Sequence, residues 1–367
     1  MKNGLPDDWK ILRKWLPDTP TLIQMARQEG FFKRVKGVRD LEVWLRLLLM
    51  HTGGGLSLEQ TVLRARELGL ASISPIALHK RLCNAHAWLE AITARMLADR
   101  LAAEQDPQTD TLLERMIAVD ATDLLAPASE GCDWRMHYGV KLSNMRCEHL
   151  ELTDKHGGER LDRFEFKAGE VVLADRGYCR RAQVARVLDA GAQIVVRHCP
   201  GSFPLLEKNG RPFEVLEWLR TLPKRRSCEC AVWFEHEGKK RPLRLCAVRM
   251  GEVAAARALK RARRKAQKNG DQLQPRTEEM SGYIMVLTSL GKAGCGSARV
   301  LNIYRYRWQV ELVFKRLKSL LGMGHVPKQN ARSARAWMQG KIITALLVER
   351  AMKEARFFSP WGYELRD

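Results

Sequence analysis

The chain is 367 residues long, which is enough for two or three domains with a substantial core. It carries 63 Lys and Arg against 42 Asp and Glu, a formal net charge of +21 at pH 7, so we do not expect an enzyme of small acidic metabolites. This excess predicts a polyanionic partner. Because no apolar run approaches the roughly 18 residues that span a bilayer, nucleic acid is favoured over a membrane surface.

The N-terminus and the cysteines are typical of an intracellular protein. Pro6, Asp7 and Asp8 leave no apolar core for a signal peptide. The nine cysteines are scattered along the chain, and no Cys-x-x-Cys pair occurs. This usage predicts reduced thiols in the cytoplasm and no structural zinc site.

Residues 1–110 have the pattern of a helical domain. The expected helices are Leu41–Met50, Leu58–Leu68 and Ile76–Met96. Ser57 and Ser74 are placed to cap the second and third helices at their N-termini. These two helices, joined by a short link, resemble a helix-turn-helix, which implies a DNA-binding domain in which Lys80 and Arg81 contact DNA. A helical hairpin with a purely structural role has the same pattern.

Residues 111–199 have the sequence pattern of a β-sheet. The expected strands are Met116–Val119, Trp134–Leu142, Arg146–Thr153, Val171–Ala174 and Gln193–Arg197, with a helix over Arg181–Ala190. Asp120 follows the first strand and Asp175 the fourth. Antiparallel strands followed by a strand–helix–strand unit, with a carboxylate at each key strand end, describe an RNase-H-like core. For either aspartate taken alone, a turn residue or a helix cap is the favoured explanation.

Residues 200–282 separate this part of the core from its last part, residues 283–367. A hairpin around Gly238 and a basic helix over Glu252–Asn269 are expected there. We therefore interpret the segment as a mainly β insertion domain with a basic helical arm. The arm's charges are spread around the helix, which favours non-specific phosphate contact, although a solvated helix has the same composition. The fold class is α/β: an RNase-H-like core with this insertion, preceded by the helical domain.

A further helix is expected over Ile303–Leu321, which contains no Gly or Pro. At roughly 100° per residue, four polar residues fall within one narrow stripe of it. They are Tyr304, Arg307, Glu311 and Lys318. A carboxylate beside a phenol, a guanidinium and an ammonium suits a site that binds a metal ion and a phosphodiester together. A solvated face with intrahelical ion pairs is the commoner explanation of such spacing.

The spacing of these four residues, Tyr-(2)-Arg-(3)-Glu-(6)-Lys, resembles the signature of a large family of bacterial insertion-sequence transposases, which are DDE enzymes. In that family the first aspartate follows an apolar strand in an Asp-x-Thr context, and the second stands in Asp-x-Gly-Tyr. Asp120 and Asp175 match these contexts. Asp123 is the rival for the first position, but it lies three residues further along and lacks a Thr two places on.

The resemblance implies a metal-dependent site. Its three carboxylates, Asp120, Asp175 and Glu311, would hold two divalent ions about 4 Å apart. The expected metal is Mg²⁺, with Mn²⁺ able to substitute, because these ions accept carboxylate oxygens. The implied DNA contacts are Tyr304, Arg307, Lys318 and Arg197, the last residue of its strand.

The activity that the resemblance implies is transposition. The enzyme would bind the double-stranded terminal inverted repeats of its element, cleave there and join the 3′-hydroxyl ends to target DNA. We expect a homodimer in the synaptic complex and a location with the nucleoid in the bacterial cytoplasm. Two alternatives are a DNA-binding regulator with an inactive core and an RNase-H-like nuclease without strand transfer. The complete signature argues against an inactive core.

Overall fold

A computed structural model describes residues 9–31, 40–102, 112–125, 133–143, 146–224, 226–308 and 330–355, together with positions 311, 315, 318, 322–324 and 326–327. The strands are β1 (Met116–Leu124), β2 (Trp134–Lys141), β3 (Arg146–Asp154), β4 (Val171–Ala174), β5 (Gln193–Arg197), β6 (Ser227–His236), β7 (Lys239–Arg249) and β8 (Tyr283–Thr288). The helices are α1 (Trp9–Arg13), α2 (Thr19–Gln28), α3 (Leu41–Thr52), α4 (Leu58–Glu67), α5 (Pro75–Asn84), α6 (His86–Ala102), α7 (Arg181–Asp189), α8 (Val215–Arg220), α9 (Glu252–Lys268), α10 (Pro275–Met280), α11 (Ser297–Arg305) and α12 (Ala331–Ala355). Within these ranges no helix is long and apolar enough to cross a membrane.

The strands form one mixed sheet in the order β3-β2-β1-β4-β5-β8-β7-β6. β1, β4 and β5 run parallel to one another, and β2 is antiparallel to both β1 and β3. α7 makes the crossover from β4 to β5, as a parallel connection requires. Every residue of β4 is buried, because both faces of the sheet are covered there. This mixed α/β sheet fits the RNase-H-like core predicted for residues 111–199.

The hairpin predicted around Gly238 is confirmed, and its strands lengthen the same sheet. Glu237 and Gly238 have φ angles of 51° and 69°, the left-handed geometry that a two-residue hairpin turn needs to match the twist of its strands. β7 pairs with β8, and β8 pairs with β5. The boundaries of the insertion and of the N-terminal domain stay predictions.

The prediction of one helix over Ile76–Met96 is wrong, because the chain breaks at Ala85 into α5 and α6. The N–H of Ala85 donates to the carbonyl of Leu82, three residues back (3.1 Å). Nδ1 of His86 lies 3.1 Å from the carbonyl of Cys83. Both contacts occupy carbonyls that a continuous helix would offer to later N–H groups. Neither Gly nor Pro marks the position, so the helical periodicity runs through it.

The final helix, α12, packs against α3, α5 and α6. Both ends of the chain therefore share one hydrophobic core. The helices approach closely at Gly340, where a Cβ atom would collide with the side chain of Thr52. Inside the same interface the hydroxyl of Thr93 donates to Oε1 of Gln339 over 2.9 Å.

The continuous helix predicted over Ile303–Leu321 is wrong. α11 begins earlier, at Ser297, and ends at Arg305. Residues 306 and 307 form a turn, in which the N–H of Arg307 donates to the carbonyl of Tyr304 (3.2 Å). Helix resumes at position 308 and includes positions 311, 315 and 318. The remainder of the predicted helix lies outside the described residues.

Candidate active site

The sheet brings Asp120 and Asp175 to the same edge. The parallel ladder between β1 and β4 pairs Ala118 with Leu173, and two further residues along each strand lead to the two aspartates. Asp120 lies inside β1, whereas a position at the strand end was predicted, because the antiparallel pairing with β2 continues β1 to Leu124. Asp175 directly follows β4, as predicted.

Two side chains around the turn between α11 and the next helical segment connect three carboxylates. The hydroxyl of Tyr304 donates to Oδ1 of Asp175 over 3.1 Å. The guanidinium of Arg307 donates to Oδ2 of Asp120 over 3.2 Å and to Oε1 of Glu311 over 2.7 Å. The residues predicted at sites far apart in the sequence therefore meet in one place. We call Asp120, Asp175 and Glu311 the acidic triad.

Burial and like charge shape the electrostatics of this place. Burial raises the pKa of Asp120 to about 6, and Asp175 and Glu159 act in the same direction. The N–H of Ala121 and the charge of Arg307 oppose the rise. Burial also raises the pKa of the Tyr304 hydroxyl, which keeps it a neutral hydrogen-bond donor.

Arg307 is held as a cation by its surroundings. Burial works to lower the pKa of Arg307, but Tyr304 and the neighbouring carboxylates outweigh it, and the pKa is raised. Its side chain is only 14% exposed. A permanent positive charge therefore lies between two members of the acidic triad.

The donor chemistry of the acidic triad fits a divalent metal ion. All three members offer carboxylate oxygens, the ligands that Mg²⁺ and Mn²⁺ accept. Among the described residues, however, no three acidic, histidine or cysteine side chains are close enough together to enclose an ion. Arg307 and Tyr304 donate to one oxygen of each of the three carboxylates.

Asp123, the rival for the first aspartate, has a different environment. Side chains alternate along a strand, so Asp123 points to the opposite face of β1 from Asp120. It forms an ion pair with Arg135, its cross-strand neighbour, at 2.9 Å. Its side chain is 52% exposed. This geometry favours Asp120 as the first carboxylate.

The predicted DNA-contacting residues fall into two groups. Arg197 ends β5 and is close enough to Tyr304 to act on the pKa of its hydroxyl, and Lys318, like Glu311, stands at a helical position. Lys80 and Arg81 lie on α5, and their described contacts include no residue of the acidic triad. Lys80 is exposed.

Arg81 is engaged within the helical region. Its guanidinium lies 5.2 Å from the centre of the Trp44 ring and 5.7 Å from that of Phe31. It also donates to the carbonyl of Phe31 over 3.3 Å. These contacts give Arg81 a packing role beside the predicted DNA contact.

Two residues near the acidic triad were missed by the sequence analysis. Glu159 lies in the connection between β3 and β4, and Tyr178 belongs to the turn after Asp175. Glu159 contributes to the raised pKa of Asp120, and Glu159 and Asp120 both contribute to the raised pKa of Tyr178. The Tyr of Asp-x-Gly-Tyr was available as a signal, but nothing in the sequence pattern distinguishes Glu159 from the other acidic residues of its segment.

Comparisons with known proteins agree with this geometry. A family model described as "Transposase DDE domain" matches residues 112–347. The chain is 32% identical over 360 residues to a putative transposase InsL of insertion sequence element IS186A from Escherichia coli K12, covering 96% of both chains. It is 32% identical over 361 residues to the transposase of insertion sequence element IS421 from Escherichia coli, again covering 96% of both.

A solved structure is also similar. It is a chain of the piggyBac transposase synaptic complex with hairpin DNA, with a TM-score of 0.49 and 10% sequence identity, covering 96% of this chain and 77% of that one. At that score and identity the similarity says nothing further about the site.

Proposed function

The chain belongs to the DDE transposases of bacterial insertion sequences, and from that membership we propose that it binds the terminal inverted repeats of its element, cleaves there and joins the 3′-hydroxyl ends to target DNA. The observation that carries the proposal is the convergence of Asp120, Asp175 and Glu311 on Tyr304 and Arg307. Carboxylates for metal ions and a guanidinium for phosphate are the groups that this reaction needs.

The acidic triad holds the metal in this proposal. DDE transposase domains generally depend on divalent metal, and Asp120, Asp175 and Glu311 would hold two Mg²⁺ ions that supply activation of the attacking oxygen and stabilisation of the leaving one. Asp120, Asp175 and Glu311 supply oxygen ligands, and none of them has to act as an acid or a base. Mn²⁺ would serve as well, since it accepts the same ligands.

Arg307 and Tyr304 change partners when DNA arrives. Arg307 donates to Asp120 and Glu311 in the DNA-free protein, so it can bind a phosphate only by giving up at least part of these contacts. Tyr304 likewise donates to Asp175. A phosphate that draws both side chains away also frees carboxylate oxygens for metal. DNA binding and metal binding therefore support each other in the proposed cycle.

Further cations extend the DNA surface. Arg197 lies near Tyr304, and in this proposal Arg197 and Lys318 contact the backbone of the element's end. On α9, exposed basic residues face solvent on several sides, which supports sequence-independent phosphate contact. They include Arg257, Lys260, Arg261, Arg264 and Lys268.

The remaining assignments complete the proposal. Residues 1–110 recognise the terminal repeat through the helices α4 and α5, with Lys80 on the exposed side. Two copies of the chain pair the two element ends in a synaptic complex, on DNA of the bacterial nucleoid. The helical caps support a preformed recognition helix, because the side chain of Ser74 accepts from the N–H of Ala77 at 3.2 Å.

The experiment is cleavage and strand transfer on a labelled duplex that ends in the terminal repeat, with Mg²⁺ or Mn²⁺ and a second duplex as target. We expect metal-dependent cuts at the repeat end and joined products. Cuts without joining would indicate a nuclease, and tight binding without cuts in either metal would indicate a regulator. Either result would overturn the proposed transposition.

A further inference from the structure

Glu159 lies against the turn that carries Asp175. The segment between β3 and β4 brings its carboxylate over Gly177, where a Cβ atom would collide with Oε2 of Glu159. Position 177 lies two residues after Asp175 in the chain. A side chain at this position would push Glu159 away, so the glycine lets the carboxylate approach the site.

Glu159 lies near other carboxylates, and neither of the two cations near it bonds to it among the described contacts. Burial raises its pKa, and the charges of Asp175 and Asp123 add to the rise. Arg135 and, less strongly, Arg180 lower this pKa, but the Arg135 guanidinium is bonded to Asp123 (2.9 Å) and to the carbonyl of Gly157 (3.2 Å). Among the described residues, Glu159 has no hydrogen bond or ion pair of its own.

The hydroxyl of Tyr178 is a second, independent observation at the same place. Tyr178 is fully buried, and its hydroxyl has no hydrogen-bond partner in the described part of the chain. Burial is the largest cause of the raised pKa of Tyr178. Asp120, Glu159 and Asp175 raise it further, so all three carboxylates lie near the hydroxyl. A buried hydroxyl normally has a partner. One that lies among carboxylates indicates a polar ligand between them.

We propose that Glu159 is a fourth carboxylate of the metal site, which positions the water shell of the divalent ion held by Asp120 and Asp175, with the Tyr178 hydroxyl bonded to the same shell. The inference rests on the proposed function. Mg²⁺ keeps several of its waters in protein sites.

Glu159 is therefore a positioning residue. Its carboxylate accepts hydrogen bonds from metal-bound water and balances the charge of the ion, while it leaves the inner ligand positions to the triad. Outer partners of this kind orient the inner ligands, and their loss typically costs about 10–100-fold in metal affinity or activity.

The test is a titration of the full chain with Mn²⁺, with and without a duplex that carries the element's end, in which the free ion is counted by electron paramagnetic resonance. We expect Glu159→Gln to weaken Mn²⁺ binding about tenfold or more, and Tyr178→Phe to weaken it by less. Glu165→Gln is the matched control, since Glu165 is exposed in the same connecting segment, and it should bind as the wild type does. Gly177→Ala should act like Glu159→Gln by displacing the carboxylate.

Asp175→Asn distinguishes failure of the role proposed for Glu159 from failure of the metal site itself. If Asp175→Asn loses Mn²⁺ affinity while Glu159→Gln and Gly177→Ala keep it, the role of Glu159 is wrong and the triad stands. If the wild type binds no Mn²⁺ in either condition, or Asp175→Asn binds as the wild type does, the metal site itself is wrong. Thermal unfolding in chelator checks for a merely structural role: Glu159→Gln should melt no lower than the wild type, and a lower Tm would overturn the inference.

Discussion

Burial of Asp120 makes metal binding sensitive to pH. Its pKa is raised to about 6, first by burial and then by Asp175 and Glu159. A protonated carboxyl cannot bind a cation, so Mn²⁺ affinity should fall about tenfold between pH 7.5 and pH 5. A Mn²⁺ titration at several pH values across this range measures the fall in affinity. Equal affinity at the two pH values would contradict the assignment of Asp120 as a ligand.

The same pKa has a consequence for stability. The folded-state pKa of Asp120, about 6, lies above the unfolded value of about 3.9, so the folded chain binds more protons between them. The stability that Asp120 contributes is present below pH 4 and is lost as the pH rises through 6. Metal-free Asp120→Asn should therefore be more stable than the wild type at pH 8, by about 3 kcal/mol, and no more stable at pH 3.5.

Removing the Arg307 side chain should have opposite effects on the binding of metal and of DNA. Arg307→Ala frees the oxygens of Asp120 and Glu311 and removes a positive charge beside the metal position. We expect Mn²⁺ to bind several-fold more tightly without DNA. End DNA should bind more weakly, with the log–log salt slope reduced by about one unit.

The control for Arg307 is Arg305→Ala, because Arg305 is exposed at the end of α11. It should leave Mn²⁺ binding unchanged. If Arg307→Ala weakened Mn²⁺ and DNA binding together, the exchange of partners would be wrong.

The sequence predicted the main residues of the site but not their contacts. Motif spacing singled out Asp120, Asp175 and Glu311 because these positions match a family pattern. It could not find Glu159, whose place depends on how the connection between β3 and β4 folds over Gly177. The packing of Arg81 on Trp44 and Phe31 is equally invisible to periodicity.

At the scale of elements, the strands followed from local pattern and the helix interruptions did not. The strand Gln193–Arg197 was predicted at its observed bounds, because a short run of apolar β-formers is specified locally. The breaks at Ala85 and at residues 306–307 contain neither Gly nor Pro. The break at Ala85 depends on the contact between Nδ1 of His86 and the carbonyl of Cys83. The break at residues 306–307 depends on the hydrogen bond that Arg307 makes to the distant Asp120.

The close approach of α12 to α3 gives a prediction for this element. Gly340 lies inside a helix, where Ala is intrinsically favoured by about 1 kcal/mol. A Cβ atom there would nevertheless collide with Thr52, so Gly340→Ala should destabilise the chain by about 1–3 kcal/mol. Thermal or urea unfolding measures this.

The control for Gly340 is Gly291→Ala, because a Cβ at Gly291 meets nothing within 4 Å. It should leave stability nearly unchanged. A Gly340→Ala chain as stable as the wild type would mean that the two helices are not held this closely.

At the scale of the whole molecule, the two chain ends depend on each other. α12 packs on α3, α5 and α6 in one core with the N-terminal helices. A fragment of residues 1–110 alone would expose that apolar face, and we expect it to be unfolded or aggregated. Residues 1–110 joined by a flexible linker to residues 331–355 should fold, as circular dichroism and a cooperative melt would show.

The joined fragment also tests the helix-turn-helix prediction. It should prefer terminal-repeat DNA to random duplex without cutting either. A folded fragment with no preference would remove that prediction, and a stable fragment of residues 1–110 alone would contradict the shared core. Periodicity predicted α3 but merged α5 and α6 into one helix, and the pairing of the first and last parts of the chain is a long-range contact that a single sequence does not reveal.

The central claim is that Asp120, Asp175 and Glu311 form one metal-dependent site, and cleavage of a labelled terminal-repeat duplex by the amide variants tests it most directly. Asp120→Asn, Asp175→Asn and Glu311→Gln should each lose cleavage in Mg²⁺ and Mn²⁺. They should still bind the duplex in calcium, or bind it more tightly, because repulsion of phosphate falls. Asp123→Asn, on the opposite face of β1, should cut as the wild type does. Full cleavage by Glu311→Gln, or an inactive Asp123→Asn beside an active Asp120→Asn, would contradict the account.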